Sequence, residues 1–298
     1  TDVSGHHEGI TSGSKLRVGL VSEHDDRHLV RTFAHELTHA FQFQLTDQRI
    51  RDGGSVGQFF FEGSAEWFSF EAVPNEAVRL ENRRSALAGW SRHRVEFQDL
   101  ADRGELRARF DPQLVYSLGE TWTAALVDVC GRDAPGRALR AMGRENAPQG
   151  LGFRDFWQDT LQAVDCDLEA VLNQWERSLG ELREQEVEFL EMLPRMGGGF
   201  ASYEGYSLRF VATLDRPPLP EERYPRAQYY IRVRENPNDS DARQRVVRGR
   251  VVGERRIEFR VPRVMVTGRE LQFQFGVEFH PEAWPYWEPW QWGVLPPQ

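Results

Sequence analysis

Residues 31–40 read Arg-Thr-Phe-Ala-His-Glu-Leu-Thr-His-Ala, in which His35, Glu36 and His39 form the pattern H-E-x-x-H. Around it, Leu29, Val30, Phe33, Leu37, Ala40, Phe41 and Leu45 recur at intervals of three and four, which predicts a helix over 26–45. On a helix, positions i and i+4 lie about 40° apart and roughly one turn displaced. His35 and His39 therefore point the same way and can share one cation, and neutral imidazole is a favoured ligand of zinc. Glu36 flanks the pair, where its carboxylate can reach a metal-bound water. Phe33, Leu37 and Phe41 are expected to bury another side of this helix. The plainer alternative is two surface histidines on an amphipathic helix.

A zinc site that does chemistry takes three protein ligands and keeps one position open. Working outward, the stretch that can supply the third ligand is Phe61-Glu62-Gly63-Ser64-Ala65-Glu66-Trp67. Twenty-two residues separate His39 from Glu62, enough for a loop, in the Gly-bearing run 51–57, and a return helix over 59–72. Glu62 and Glu66 are again i and i+4. One can bind the metal while the other accepts an imidazole N–H, as the partner of a metal-bound histidine normally does. Spacing alone leaves open which Glu takes which part.

H-E-L-T-H followed by F-x-E-G-S-A-E-W resembles the gluzincin zinc metallopeptidases, and within them the bacterial peptidase MA-like group. The resemblance implies that Glu62, before the glycine, is the third zinc ligand, and that Glu66 orients a zinc-binding histidine. A later stretch, Tyr116-Ser-Leu-Gly-Glu-Thr-Trp-Thr-Ala-Ala-Leu-Val, is similar to a later helix of the family, and Tyr116 matches a tyrosine that stabilises the oxyanion in related enzymes. A Tyr packed in the helix core is the alternative for Tyr116. The match covers roughly residues 15–180 and implies an α+β, thermolysin-like, mainly helical domain with one Zn2+ per chain. Two departures stand out. In place of the G-x-M-E-N strand of the aminopeptidase branch there is only Gly5-His6-His7-Glu8-Gly9, which favours an endopeptidase. Only 34 residues precede His35, fewer than family members usually have, so part of the active-site sheet is expected either to be missing or to be supplied by a pro-segment or a partner chain.

Further along, helices are predicted at 75–102, 111–129, 134–142, 153–163 and 168–189, preceded by a short strand at 15–21. Met196-Gly-Gly-Gly reads as a hinge-like break. Beyond it, 206–214, 228–234, 244–252, 256–266 and 270–279 are rich in β-branched and aromatic residues, several alternating with Arg, which is strand patterning. The expected organisation is a metallopeptidase-like domain over 1–196 and an antiparallel, β-sandwich-like accessory domain over 200–298.

Composition agrees with a chain of this kind and excludes others. The 298 residues suit roughly two domains at about 150 residues each. The mean hydropathy of −0.59 and the absence of any run near the ~20 apolar residues of a membrane helix exclude a span. The formal charge of −9 argues against nucleic acid as a partner, so the Arg-rich strands between 226 and 263 read as a solvated sheet face. Cys130 and Cys166 are too few for a four-Cys zinc site; two buried thiols are the preferred reading, one disulfide the alternative. The chain begins at Thr1, which suggests a processed form or a fragment and, with the family's habit of export, a periplasmic or secreted protein. His24 and His28 are also i and i+4, but read as groups at a helix start. The run Trp284-Pro-Tyr-Trp-Glu-Pro-Trp-Gln-Trp292 holds four of the nine tryptophans and is expected to be a buried arm.

The function expected from these residues is peptide-bond hydrolysis by a zinc-activated water, with Glu36 as general base. The competing expectations are a catalytically degenerate fold that binds through its β-domain, and a zinc hydrolase of a non-peptide amide.

Overall fold

The computed structural model describes residues 9–12, 15–18, 26–46, 54–101, 106, 111, 113–144, 152–234, 245–262 and 270–294. Among these, helices and strands segregate along the chain: a helical unit runs to Gln185, apart from Asp111, and a strand-rich unit takes in Asp111 and the residues from Glu186 onward. The helical unit opens with a hairpin of β1 (Gly9–Ser12) and β2 (Lys15–Val18). Helices α1 (Asp26–Leu45), α2 (Gly54–Ala72), α3 (Glu76–His93), α4 (Leu114–Cys130), α5 (Ala134–Met142), α6 (Phe153–Gln162) and α7 (Leu168–Gln185) follow. The helix predicted over 75–102 stops at His93, where Arg94 takes the left-handed conformation, and a 3-10 turn, Phe97–Ala101, follows. Asn75 caps α3 by accepting from the Val78 amide.

α2 and α4 form the core. α2 is rich in apolar and aromatic residues, and Phe59, Phe60, Ala65, Trp67 and Phe70 are buried, while Glu62 and Glu66 line another of its faces. Rings of Phe59 and Phe60 pack edge-on to Trp122 of α4 and Trp157 of α6. The two helices touch at backbone level. A Cβ at Gly63 would overlap the backbone of Gly119, and one at Gly119 would overlap the Phe59 carbonyl. Cys130 and Cys166 form a disulfide that ties the end of α4 to the turn before α7, so the expected pair of free thiols is incorrect. Arg137 reinforces the tie by donating to the carbonyls of Cys130 and Val164.

α1 overturns one expectation. Its buried residues are His28, Arg31, Thr32, His35, Glu36 and Gln42. Phe33, Leu37 and Phe41 are 47%, 38% and 55% exposed, and Val30 is 53% exposed. Periodicity identified two faces correctly but not which of them faces the protein.

The strand-rich unit begins with α8 (Val187–Met192), which a break at Glu186 separates from α7, so the single helix predicted over 168–189 is two. The strands are β3 (Met196–Glu204), β4 (Ser207–Leu214), β5 (Gln228–Arg234), β6 (Arg245–Val251), β7 (Arg256–Pro262), β8 (Glu270–Glu278), β9 (Tyr286–Trp287) and β10 (Gln291–Val294). They form one antiparallel sheet in the order β10-β8-β5-β6-β7-β4-β3, with β9 also on β8. The expected antiparallel, sandwich-like region is thus a single curled sheet. β6 makes the corner: residues up to Arg248 pair with β5, and Gly249–Val251 pair with β7. Gly249 sits where any Cβ would collide with Ile257 and Phe259. The curl brings Phe210 and Phe259 against Phe273 and Phe275 of β8.

The Met196-Gly-Gly-Gly run is strand β3 rather than a hinge. A Cβ at Gly199 would press on the rings of Phe273 and Phe275, so the glycine leaves space that those rings fill. Gly198, at φ +63°, takes up the irregularity in the β3–β4 register. The tryptophan-rich arm is buried as expected at Trp284 and Trp287, with Trp292 exposed. No described helix is long and apolar enough to cross a membrane.

Candidate metal centre

α1 and α2 bring three side chains to one point. His35 Nε2 and His39 Nε2 are 3.2 Å apart. Glu62 Oε2 lies 3.5 Å from the first and 3.2 Å from the second. Zinc bonds nitrogen and carboxylate oxygen at about 2.0–2.2 Å, which puts neighbouring ligands of a tetrahedral site about 3.3–3.6 Å apart. The three atoms thus form a triangle of the size of one tetrahedral face. Among the described residues this is the group of His, Cys, Asp and Glu suited to hold a metal ion. His39 and Glu62 keep 16% and 15% of their side-chain surface, while His35 keeps 2%, so the triangle opens on the His39–Glu62 side.

Both imidazoles are oriented through Nδ1. His35 Nδ1 lies 3.2 Å from Glu66 Oε2, and Asn82 of α3 donates to the other oxygen of Glu66 at 2.7 Å. His39 Nδ1 lies 2.7 Å from Gln42 Oε1. Gln42 is held in turn, its amide donating to the Phe61 carbonyl at 2.8 Å and to Ser64 Oγ at 2.9 Å. These contacts turn each Nε2 toward Glu62, the arrangement by which outer partners fix the tautomer of a metal-binding histidine. Glu62 thus faces both Nε2 atoms, and Glu66 faces the far side of His35.

Two carboxylates face the pair of histidines. Burial by itself would lower the pKa of His35, but hydrogen bonds and attraction from Glu62 and Glu66 outweigh it and hold the imidazole up at about 10. Burial would raise both carboxyls, and the facing histidines hold each below the usual carboxylate range.

The other expected residues fall close by or elsewhere. Glu36 is buried on α1 next to His35. The Tyr116 ring, at the start of α4, stacks on His35 with centroids 6.1 Å apart and 28° between planes. His28 is buried with Arg31 Nη2 3.3 Å from its Nδ1, and Arg31 lies over the Phe70 ring; His28 is thus engaged with an arginine. His24 and Glu8 lie outside the described residues. Gln42 and Asn82 were not anticipated. For Gln42 a signal existed, since it stands three residues after His39 on the same helix. Asn82 has none, being distant in sequence and carrying no motif.

Comparison with protein-family models, curated proteins and solved structures found no match to this chain.

Proposed function

We propose that the chain is a zinc-dependent peptidase of the gluzincin kind with a thermolysin-like catalytic unit, acting as an endopeptidase on peptide or protein substrates. The observation that carries this reading is the triangle of His35, His39 and Glu62 on two adjacent helices, with a carboxylate neighbour at Glu36. A zinc ion held by those three residues would supply an acidified water and a Lewis acid for the scissile carbonyl. Glu36 is the proton acceptor: its carboxylate takes the proton of the attacking water and returns it to the leaving amine. Tyr116, stacked beside His35, is the donor to the carbonyl oxygen as charge develops there. Glu66 and Gln42 hold the two imidazoles in register. The Cys130–Cys166 disulfide supports an oxidising, exported location.

The test is Glu36→Gln, assayed for cleavage of a denatured protein with zinc content measured alongside. The amide keeps the shape of the carboxylate but cannot act as a base. Zinc retained with hydrolysis reduced at least 100-fold is expected; a fully active variant would remove Glu36 from the mechanism.

A further inference from the structure

The outward face of the curled sheet divides into a covered half and a bare half. On β5, Arg232 and Arg234 are buried beneath the tryptophan arm, their guanidinium carbons 3.9 Å from the Trp287 ring centre and 4.1 Å from that of Trp290. Pairing across the next strands sets Arg248 beside Tyr230, Arg250 beside Glu258, and Arg260 beside Arg209. On this half Arg248, Arg250, Arg256 and Arg260 are exposed. Arg248, Gly249, Arg250, Glu258 and Arg260 line an open groove of about 660 Å³.

Charge on this half is unbalanced. Glu258 accepts from Arg209 Nε at 2.7 Å and from Arg260 Nε at 3.0 Å, and Glu204 lies 3.5 Å from each of the same two arginines. Both carboxylates are thus committed to Arg209 and Arg260. Among the described residues Arg248, Arg250 and Arg256 make no ion pair. Like charges directly opposite on neighbouring strands destabilise a sheet, and Arg209 faces Arg260. In a chain of formal charge −9 this concentration of guanidinium is unusual for a merely solvated face, where both signs are interspersed.

We propose that this groove binds a tetrahedral oxyanion, the sulfate or phosphate group of a saccharide, gripped by Arg248 and Arg250 with Arg260 braced at its flank by Glu258. Guanidinium presents paired donors that match oxyanions bidentately. Among the described residues no aromatic side chain lines the groove, so these residues offer no stacking platform of the kind single-stranded nucleic acid uses. No large apolar side chain of the described residues lines it either, so they offer nothing to insert into a lipid surface.

The test is calorimetric titration of the full chain with sodium sulfate, sodium phosphate and a heparin-derived tetrasaccharide at fixed ionic strength. Saturable binding at one site is expected, tighter for the tetrasaccharide than for the free anions. Arg248→Gln and Arg250→Gln should each weaken it by about tenfold or more, since each removes a charge-assisted pair of hydrogen bonds. Both positions are exposed, and unchanged melting will show that the variants fold. Arg177→Gln, which removes one exposed charge from α7, should leave binding unaltered. Equal loss in Arg177→Gln, or no saturable binding, would overturn the proposal. A single-stranded oligonucleotide that outcompetes the tetrasaccharide would overturn the saccharide assignment.

Discussion

At His39, Nδ1 meets an amide oxygen, Gln42 Oε1, where at His35 it meets a carboxylate, Glu66 Oε2. The two imidazoles are therefore oriented by groups of different charge. A carboxylate raises the basicity of its histidine, whereas an amide mainly fixes the tautomer and ring angle. Gln42 is also wholly buried and anchored on α2, so it couples the helix of the histidines to the helix of Glu62. Gln42→Ala should weaken zinc binding by about 10–100-fold, the usual cost of losing such a partner, as read by competition with a chromogenic chelator. An unchanged affinity would make Gln42 a packing residue only. His35 and His39 were legible in sequence because helical spacing alone puts them on one face. Spacing did not separate the parts proposed for Glu62 and Glu66, since i and i+4 are equivalent until the histidines are placed opposite them; the resemblance to the gluzincins is what distinguished them.

Two elements show what periodicity can and cannot tell. The periodicity of α1 rests on seven apolar residues, yet four of them, Val30, Phe33, Leu37 and Phe41, are exposed, and the helix buries a polar stripe that includes His35 and Glu36. A stripe of apolar side chains signals a helix face but not the side on which the protein lies. The Met196-Gly-Gly-Gly run reads as a break in sequence, whereas in β3 Gly199 leaves room for rings of β8, the close approach that an interior strand glycine permits. The same reasoning applies at Gly63, between Glu62 and Ser64, where α2 and α4 meet backbone to backbone. No flexible side chain is there to yield, so a methyl group would force the helices apart. Gly63→Ala should destabilise the protein by about 3 kcal/mol or more, the upper range for overpacking, seen as a lower urea midpoint. A midpoint within error of wild type would show that the helices separate freely.

Over the whole molecule, the segregation of helices before strands was legible from the change of residue types near 197, and the curl of the sheet was not. Curling depends on Gly249 turning β6 from one partner to the other, a choice made by contacts with Ile257 and Phe259 that lie along a different strand. The disulfide was equally hidden, since two cysteines carry no pairing information beyond their number. It closes a segment with a sequence separation of 36, for which loop-closure entropy suggests about 4 kcal/mol. The double substitution Cys130→Ser with Cys166→Ser should lower stability by about 2–4 kcal/mol in urea denaturation; an equal midpoint would mean that the bridge constrains little in the unfolded chain. All of the proposed chemistry depends on one cation between α1 and α2. The decisive measurement is zinc per chain by elemental analysis, after purification free of chelators, on wild type and on Glu62→Ala. About one zinc in wild type and a sharp loss in Glu62→Ala is the expected result. Wild type without zinc, or Glu62→Ala with undiminished zinc, would contradict the three-ligand centre.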